Sequence, residues 1–175
     1  MYKRQDVAYA VHDTVIGRMT LAVNASGVLV SSTFTPDDAA EGRALERIAR
    51  GVSPRVLRLP GRLDEARRAF DAFLVGAASS IDVSVDLVLA SAFQRAVLGA
   101  LRDRVGYGAR ASYGEVARWV GRPTAARAVG AALGANPLCL VVPCHRVVGA
   151  SGDVTGYAGG LAAKRMLLQL ESGRP

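Results

Sequence analysis

The sequence predicts an α/β (α+β) protein, with a small N-terminal α/β sheet domain followed by a mainly helical C-terminal domain containing a winged-helix-like helix-turn-helix. Three observations support this: β-type runs occur in the first half, helical spacing dominates the second, and two short helices there are joined by residues 121–124. The chain has 175 residues and half of them are apolar, which is enough for two small cores. We expect a small supporting α/β domain at 1–88 and a mainly helical domain at 89–175.

The first half contains two β-type runs on either side of an Asn/Gly turn, which is typical of a hairpin. Pro54 argues against a central strand at 52–59. His12 stands alone near a strand end, so we expect a structural role for it. The predicted elements are a strand at 7–11, the hairpin strands at 19–23 and 28–30, a helix at 36–50, an amphipathic helix at 62–75 and an alternating strand at 81–87.

The second half contains two capping boxes, in which a serine is followed three residues later by Gln or Glu. They predict helices beginning after Ser91 and Ser112. Thr124 is expected to cap the following helix. The predicted helices are 92–104, 113–120, 125–133 and 161–170.

The net charge of +7 is unevenly distributed. Residues 1–90 hold 11 Lys and Arg against 11 Asp and Glu, whereas residues 91–175 hold 11 against 4. All the excess positive charge therefore lies in the second half, which favours a polyanionic partner, nucleic acid above all. A generally Arg-rich proteome would explain the arginines but not the scarcity of acids.

Cys139 lies within an apolar run, 138–142, and Cys144 follows the proline after it. The run predicts a buried strand that ends at Pro143. Cys144 is followed by His145, and a nearby base or positive charge makes a thiol nucleophilic by favouring the thiolate. In an extended segment neighbouring side chains point apart, so His145 could reach the sulfur only through a bent backbone or a water. Taken alone, the pair fits a buried structural cysteine better than a reactive one.

Several classes of function are disfavoured by the composition. Two cysteines and two histidines at these spacings form no zinc-ligand pattern, so we expect no metal and no cofactor. The glycine-rich loops 149–152 and 156–160 lack the spacing of a phosphate loop. Charges interrupt the longer apolar stretches, and residues 1–5 lack the apolar core of a secretion signal. We therefore expect a cytoplasmic protein without a membrane partner.

The helix predicted at 125–133 carries one long polar side chain, Arg127, among small residues. A major-groove reader needs several long polar side chains, whereas small ones allow close approach to the minor groove or the DNA backbone. A tightly packed internal helix is the alternative. Because a buried arginine without a partner is costly, we expect Arg127 to face outward.

With these residues assembled, the chain resembles the 6-O-methylguanine-DNA alkyltransferases, also called methylated-DNA–protein-cysteine methyltransferases. The resemblance is close over residues 91–171 and looser at the hairpin, 13–34. It is carried by the segments Ser112-Tyr113, Ala125-Ala126-Arg127-Ala128-Val129-Gly130, Asn136-Pro137, Val142-Pro143-Cys144-His145-Arg146-Val147 and Gly156-Tyr157-Ala158-Gly159-Gly160-Leu161.

The resemblance implies repair of 6-O-alkylguanine in double-stranded DNA by a monomer that binds the minor groove and rotates the damaged base out of the stack. Cys144 would take the alkyl group once per molecule, because water does not readily cleave a thioether. The implied catalytic residues are Cys144, His145 acting through a water, Glu171 orienting His145, Asn136 holding the turn and Tyr113 assisting the departing guanine.

The implied DNA contacts are Arg127, which would fill the vacated position in the stack, and Ala126, Ala128 and Gly130. The implied base pocket is formed by Val147, Tyr157, Ala158 and Gly159. Some relatives have serine at position 158, so this chain would lack one hydroxyl contact to the lesion.

Three alternatives belong to other functional classes. A non-catalytic alkyltransferase-like lesion-binding protein would lack the cysteine, and Cys144 is present. A winged-helix DNA-binding regulator would bind DNA unchanged after substitution of Cys144. A Cys-His hydrolase would turn over an ester or peptide, but only the glycine loops could supply an oxyanion hole.

Overall fold

The computed structural model describes residues 6–173 and divides the chain into two compact units, with the boundary between Leu89 and Ala90. The first unit is built on a sheet, and the second is mainly helical. This architecture confirms the predicted fold class.

The first unit contains a four-stranded sheet made of β1 (Val7–Thr14), β2 (Gly17–Val23), β3 (Leu29–Phe34) and β4 (Val56–Arg58). The strands lie in the order β3-β2-β1-β4. β1 pairs antiparallel with β2 and parallel with β4, and β2 pairs antiparallel with β3. The turn between β2 and β3 is held by Asn24, whose Oδ1 accepts hydrogen bonds from the backbone of Ser26 and Val28. This confirms the hairpin, and the edge position of β4 agrees with the nearby Pro54.

Two helices accompany this sheet: α1 (Asp38–Gly51) and α2 (Asp64–Leu74). Asp37 caps α1 by accepting a 2.7 Å hydrogen bond from the Ala40 backbone. His12 Nε2 lies 2.7 Å from Asp71 Oδ1, a structural contact of the kind expected for this histidine.

The strand predicted at 81–87 is wrong. Burial does alternate along these residues, but only Val85 forms a bridge, to Leu29 at the start of β3. Leu29 donates to the Ser84 carbonyl and accepts from the Asp86 amide, both at 2.9 Å. Alternation therefore reports a half-buried extended segment, whereas a strand also requires a neighbour along its length.

The second unit contains the helices α3 (Ala92–Arg104), α4 (Tyr113–Trp119), α5 (Ala126–Gly134) and α6 (Leu161–Glu171). Both predicted capping boxes are present, around Ser91 and Ser112. α4 and α5 form the helix-turn-helix, and α5 packs on both α3 and α4. The cap predicted at Thr124 is wrong, because Ala125 precedes α5 and no side chain caps it.

Two short strands, β5 (Ala111–Ser112) and β6 (Val147–Val148), pair in parallel within this unit. The sequence did not predict them, since two residues are too few to show an alternating pattern. β6 directly follows the Cys-His segment, so the pairing fixes the position of that segment.

The strand predicted at 138–142 is also wrong. The run is mostly buried, but Leu140 has φ +72° and the Val142 amide donates to the Leu138 carbonyl at 2.9 Å, so the chain curls into a tight turn. The Asn136 side chain accepts from the Leu138 amide and so competes with a strand ladder. Beyond Pro143, residues Cys144–Arg146 form a 3₁₀ turn, so the backbone at the Cys-His pair is bent rather than extended.

None of the helices between residues 6 and 173 is long and apolar enough to cross a membrane.

Candidate active site

Cys144 is the first residue of the 3₁₀ turn and is 4% exposed. Asn136 Nδ2 donates to the Cys144 sulfur at 3.2 Å and to the Val142 carbonyl at 3.2 Å. The Asn136 Oδ1 accepts from the Leu138 amide at 2.9 Å. That backbone donor fixes which end of the amide faces the sulfur, so Asn136 presents an N–H to it. The predicted role of Asn136 in the turn is consistent with this geometry.

The pKa of the Cys144 thiol lies below its ordinary value. A hydrogen bond from Cys139 contributes most, and the Asn136 hydrogen bond and the positive charge of Lys164 act in the same direction. Burial opposes them by disfavouring the charged thiolate, but it does not prevail. The surroundings thus favour the nucleophilic form of the sulfur.

Glu171, the last residue of α6, forms a buried cluster with the two residues after Cys144. His145 Nε2 lies 2.7 Å from Glu171 Oε1, and Arg146 donates to both carboxylate oxygens at 2.9 Å. Arg146 Nη1 also donates to the Val105 carbonyl at 2.8 Å. These contacts explain how an anion is tolerated at a helix C-terminus.

The charges in this cluster assign the histidine tautomer. Burial raises the pKa of Glu171, but hydrogen bonds from His145 and Arg146 outweigh it and hold that pKa below its ordinary value. Burial lowers the pKa of His145 and keeps the ring neutral. An ionised carboxylate only accepts hydrogen bonds, so His145 Nε2 carries the proton and Nδ1 carries the basic lone pair.

Lys164 on α6 is fully buried, and no role for it was predicted. Its Nζ donates to the carbonyls of Val147 at 2.5 Å, Thr155 at 2.7 Å and Gly156 at 3.3 Å. Burial lowers the pKa of Lys164, while the Cys144 thiolate acts to raise it. The one available signal was its position in the helix, between Ala163 and the buried Leu167.

A cavity of ≈ 480 Å³ opens beside Cys144, within the size range of small-molecule sites. Of the predicted pocket residues, Tyr157 and Ala158 line the cavity, whereas Val147 and Gly159 do not. Val147 is buried, and its carbonyl accepts a hydrogen bond from Lys164. The lining consists of Tyr113, Gly130, Leu133, Gly134, Cys144, Thr155, Gly156, Tyr157 and Ala158.

Tyr113 is the first residue of α4, and its side chain closes one side of the cavity. Its hydroxyl donates to the Thr155 carbonyl at 3.2 Å and accepts from the Thr155 hydroxyl at 3.4 Å. The Lys164 ammonium lies 5.9 Å from the centre of its ring, within cation–π range. The phenol is therefore held at the cavity wall by contacts from two sides.

Helix α5 links the cavity to the protein surface. Arg127, Gly130 and Gly134 are three and four residues apart, so they form one stripe of the helix. The two glycines line the cavity, and Arg127 is exposed in the first turn, as expected. Ala126 is half-buried and Ala128 is exposed beside it.

Across residues 6–173, no group of three or more His, Cys, Asp or Glu side chains is arranged to hold a metal ion.

Comparisons with known proteins identify the family. The family model of the 6-O-methylguanine DNA methyltransferase DNA-binding domain matches residues 92–173. A methylated-DNA–protein-cysteine methyltransferase of Mycolicibacterium paratuberculosis is 40% identical over 169 residues, which cover 94% of this chain and 92% of the relative. The chain belongs to the methylated-DNA–protein-cysteine methyltransferase family. The corresponding Mycobacterium tuberculosis protein is 48% identical over 115 residues, or 66% of this chain and 68% of the relative.

Solved structures of the same family have the same fold as this chain. Mycobacterium tuberculosis OGT in complex with DNA matches with a TM-score of 0.79 and 38% identity, covering 95% of this chain and 94% of that one. The 6-O-methylguanine-DNA methyltransferase of Pyrococcus kodakaraensis matches with a TM-score of 0.67 and 25% identity, covering 94% and 98%. The chain thus belongs to the methylated-DNA–protein-cysteine S-methyltransferase class of enzymes, and the predicted family is confirmed.

Proposed function

We propose that this enzyme repairs 6-O-alkylguanine in duplex DNA by moving the alkyl group to Cys144, once per molecule. The observation that carries the proposal is the position of the Cys144 sulfur, which lines the ≈ 480 Å³ cavity while it accepts a hydrogen bond from Asn136. A thiol in that position combines activation with access to a bound base.

The reaction begins when His145 Nδ1 takes the thiol proton of Cys144 through a water. The thiolate then attacks the alkyl carbon, so that an S–C bond forms while the bond from that carbon to guanine O6 breaks. The electron pair leaves with the guanine, and Tyr113, at the cavity wall, assists this departure when its hydroxyl turns from the Thr155 carbonyl to donate to the ring nitrogen. The product is a thioether at Cys144. Water does not readily cleave this bond, so the protein is consumed.

DNA engagement is assigned to α5, whose small side chains fit the minor groove. The target base rotates out of the stack into the cavity, where Tyr157 and Ala158 form part of the wall. Arg127 fills the vacated position in the stack. Together with the positive charge of residues 91–175, it offsets the cost of base flipping, which is roughly a few kcal/mol. In this assignment residues 89–175 bind DNA and carry out transfer, residues 1–88 support them, and the protein acts as a monomer.

The proposal is tested by incubating the protein with a duplex oligonucleotide containing 6-O-methylguanine and measuring the intact protein mass. We expect a gain of one methyl group per chain, located on Cys144 by peptide mapping and absent in Cys144→Ser. Repeated turnover by one molecule, or methylation of another residue in the wild-type protein, would reject the proposal.

Arg127→Ala is expected to slow methyl transfer from duplex DNA by about tenfold or more, because the flipped-out state loses the group that fills the stack. Reaction with free 6-O-benzylguanine, which needs no flipping, should change little. Single-turnover rates with both substrates provide the measurement.

The matched control is Arg122→Ala, which removes one positive charge from an exposed position in the turn before α5. It should mainly weaken the salt dependence of DNA binding, by about one unit of slope if Arg122 contacts a phosphate. Equal losses in the two assays for Arg127→Ala, or equal duplex losses in the two variants, would rule out the inserting role.

A further inference from the structure

Cys139 lies in the same buried turn as the proposed nucleophile and is 1% exposed. Its sulfur lies 3.6 Å from the Asn136 carbonyl oxygen, to which it donates. The pKa of the Cys144 thiol lies below its ordinary value, and a hydrogen bond from Cys139 is the largest cause of that lowering. Asn136 therefore contacts both sulfurs, Cys144 through its side-chain N–H and Cys139 through its main-chain oxygen.

The turn itself creates this arrangement. Leu140 adopts φ +72°, and the Val142 amide donates a hydrogen bond to the Leu138 carbonyl. Cys139 and Val142 also form an isolated β-bridge through their backbones. An extended segment would have carried Cys139 and Cys144 far apart, because each residue of a strand adds about 3.3 Å. The curl instead places both cysteines around Asn136, with each sulfur in contact with that residue and each side chain buried.

A thiol has one hydrogen to donate, and here two acceptors compete for it. The Asn136 carbonyl is a neutral acceptor. The Cys144 sulfur becomes the better acceptor once it carries a negative charge, since hydrogen bonds to charged groups are stronger than those between neutral groups. The S–H group of Cys139 should therefore turn toward Cys144 when Cys144 ionises.

We propose that Cys139 is a positioning residue for alkyl transfer, whose S–H group switches from the Asn136 carbonyl to the Cys144 thiolate and stabilises the anion before attack. The inference rests on the proposed role of Cys144 as the alkyl acceptor. The Cys139 proton rotates but is not transferred, and the proton that Cys144 loses goes to His145 through water. After alkylation the thioether carries no charge, so the S–H group returns to the Asn136 carbonyl.

The test is the pH dependence of methylation of Cys144 by iodomethane, measured by peptide mass spectrometry. Iodomethane needs no recognition of guanine or DNA, so the assay reports thiolate content alone. Cys139→Ala should raise the apparent pKa of Cys144 by about one unit and slow methylation roughly tenfold at pH values below both pKa values. Cys139→Ser keeps a donor in place and should restore most of the shift.

Val142→Ala is the matched control, because it removes apolar atoms from the same buried turn without removing a thiol. It should lower thermal stability and leave the apparent pKa of Cys144 unchanged. An unchanged pKa in Cys139→Ala, or an equal shift in Val142→Ala, would overturn the proposal.

The unmodified protein offers a measurement that does not depend on folding of a variant. The infrared S–H stretching band of Cys139 should move to lower frequency as Cys144 ionises. It should return to its original frequency after Cys144 is methylated. A band that does not respond to either event would also overturn the proposal. A normal shift together with no transfer from methylated guanine would instead reject the repair function and leave the sulfur pairing intact.

Discussion

Glu171→Ala is expected to lower the free energy of unfolding by about 3–5 kcal/mol, because it leaves the guanidinium of Arg146 buried without its counter-charge. In the native protein both carboxylate oxygens accept from Arg146, and one also contacts His145. Alkyl transfer by the folded fraction should slow as well, since the His145 ring loses the group that fixes its tautomer and orientation. Urea denaturation followed by circular dichroism measures the first effect, and single-turnover kinetics measure the second.

A double substitution separates the pairing from the packing. Replacing a whole buried ion pair with apolar residues is often close to neutral, whereas removing one partner is costly. Glu171→Leu combined with Arg146→Leu should therefore be more stable than Glu171→Leu alone. A double variant that is less stable than the single variant would show that the loss does not come from the orphaned charge of Arg146.

The same cluster sets the acid limit of stability. The pKa of Glu171 is lower in the folded protein than its ordinary value of 4.5, so its ionised form is favoured by folding. That contribution is complete above the ordinary pKa and is lost as pH falls through the folded pKa. His145 also makes the protein less stable as pH falls, and its effect begins at a higher pH than that of Glu171. Its pKa is lowered in the folded protein, so protonation near pH 6.5 and below favours unfolding. Glu171→Gln should therefore flatten the acid side of the stability profile.

The elements that could be predicted from sequence are those whose signals are local. Hydrogen bonds within three or four residues define the capping boxes at Ser91 and Ser112 and the turn at Asn24, and all three were correct. The run at 138–142 was predicted to be buried and extended, but only its burial was correct. Apolar composition reports burial, whereas the curl depends on Leu140 and on the Asn136 side chain.

In the candidate site, too, local sequence signals could be interpreted, whereas long-range contacts could not. Cys144 and His145 are adjacent in sequence, but the pair alone fits a structural cysteine better, so their proposed roles and that of Glu171 came from the family resemblance. Arg146 and Lys164 were missed as contributors because their contacts are with carbonyls and a carboxylate 8 to 41 residues away. No local pattern shows which backbone oxygens a buried cation will meet, and this part of the site becomes visible only when the chain is folded.

Lys164→Met is expected to slow alkyl transfer by about tenfold or more at neutral pH and to lower the free energy of unfolding by about 1.5–3 kcal/mol. The ammonium donates hydrogen bonds to the carbonyl of Val147, next to the Cys-His turn, and to those of Thr155 and Gly156 in the cavity wall. The substitution removes these hydrogen bonds, so the wall loses its attachment to the turn. It also removes a positive charge that lowers the pKa of Cys144. The rate should therefore recover partly as pH rises and the thiol ionises.

Arg165→Met is the matched control, because it removes one positive charge from the exposed side of the same helix. It should leave the pH profile of Cys144 unchanged, so the two variants separate buried charge from net charge. Single-turnover rates across a pH series distinguish the two effects of Lys164. If the Lys164→Met rate stayed low at every pH, wall position alone would explain the loss, and full recovery at high pH would assign it to the charge. Because the ammonium contacts the wall and its charge reaches the sulfur, we expect partial recovery, with one buried cation both shaping the cavity and favouring the thiolate.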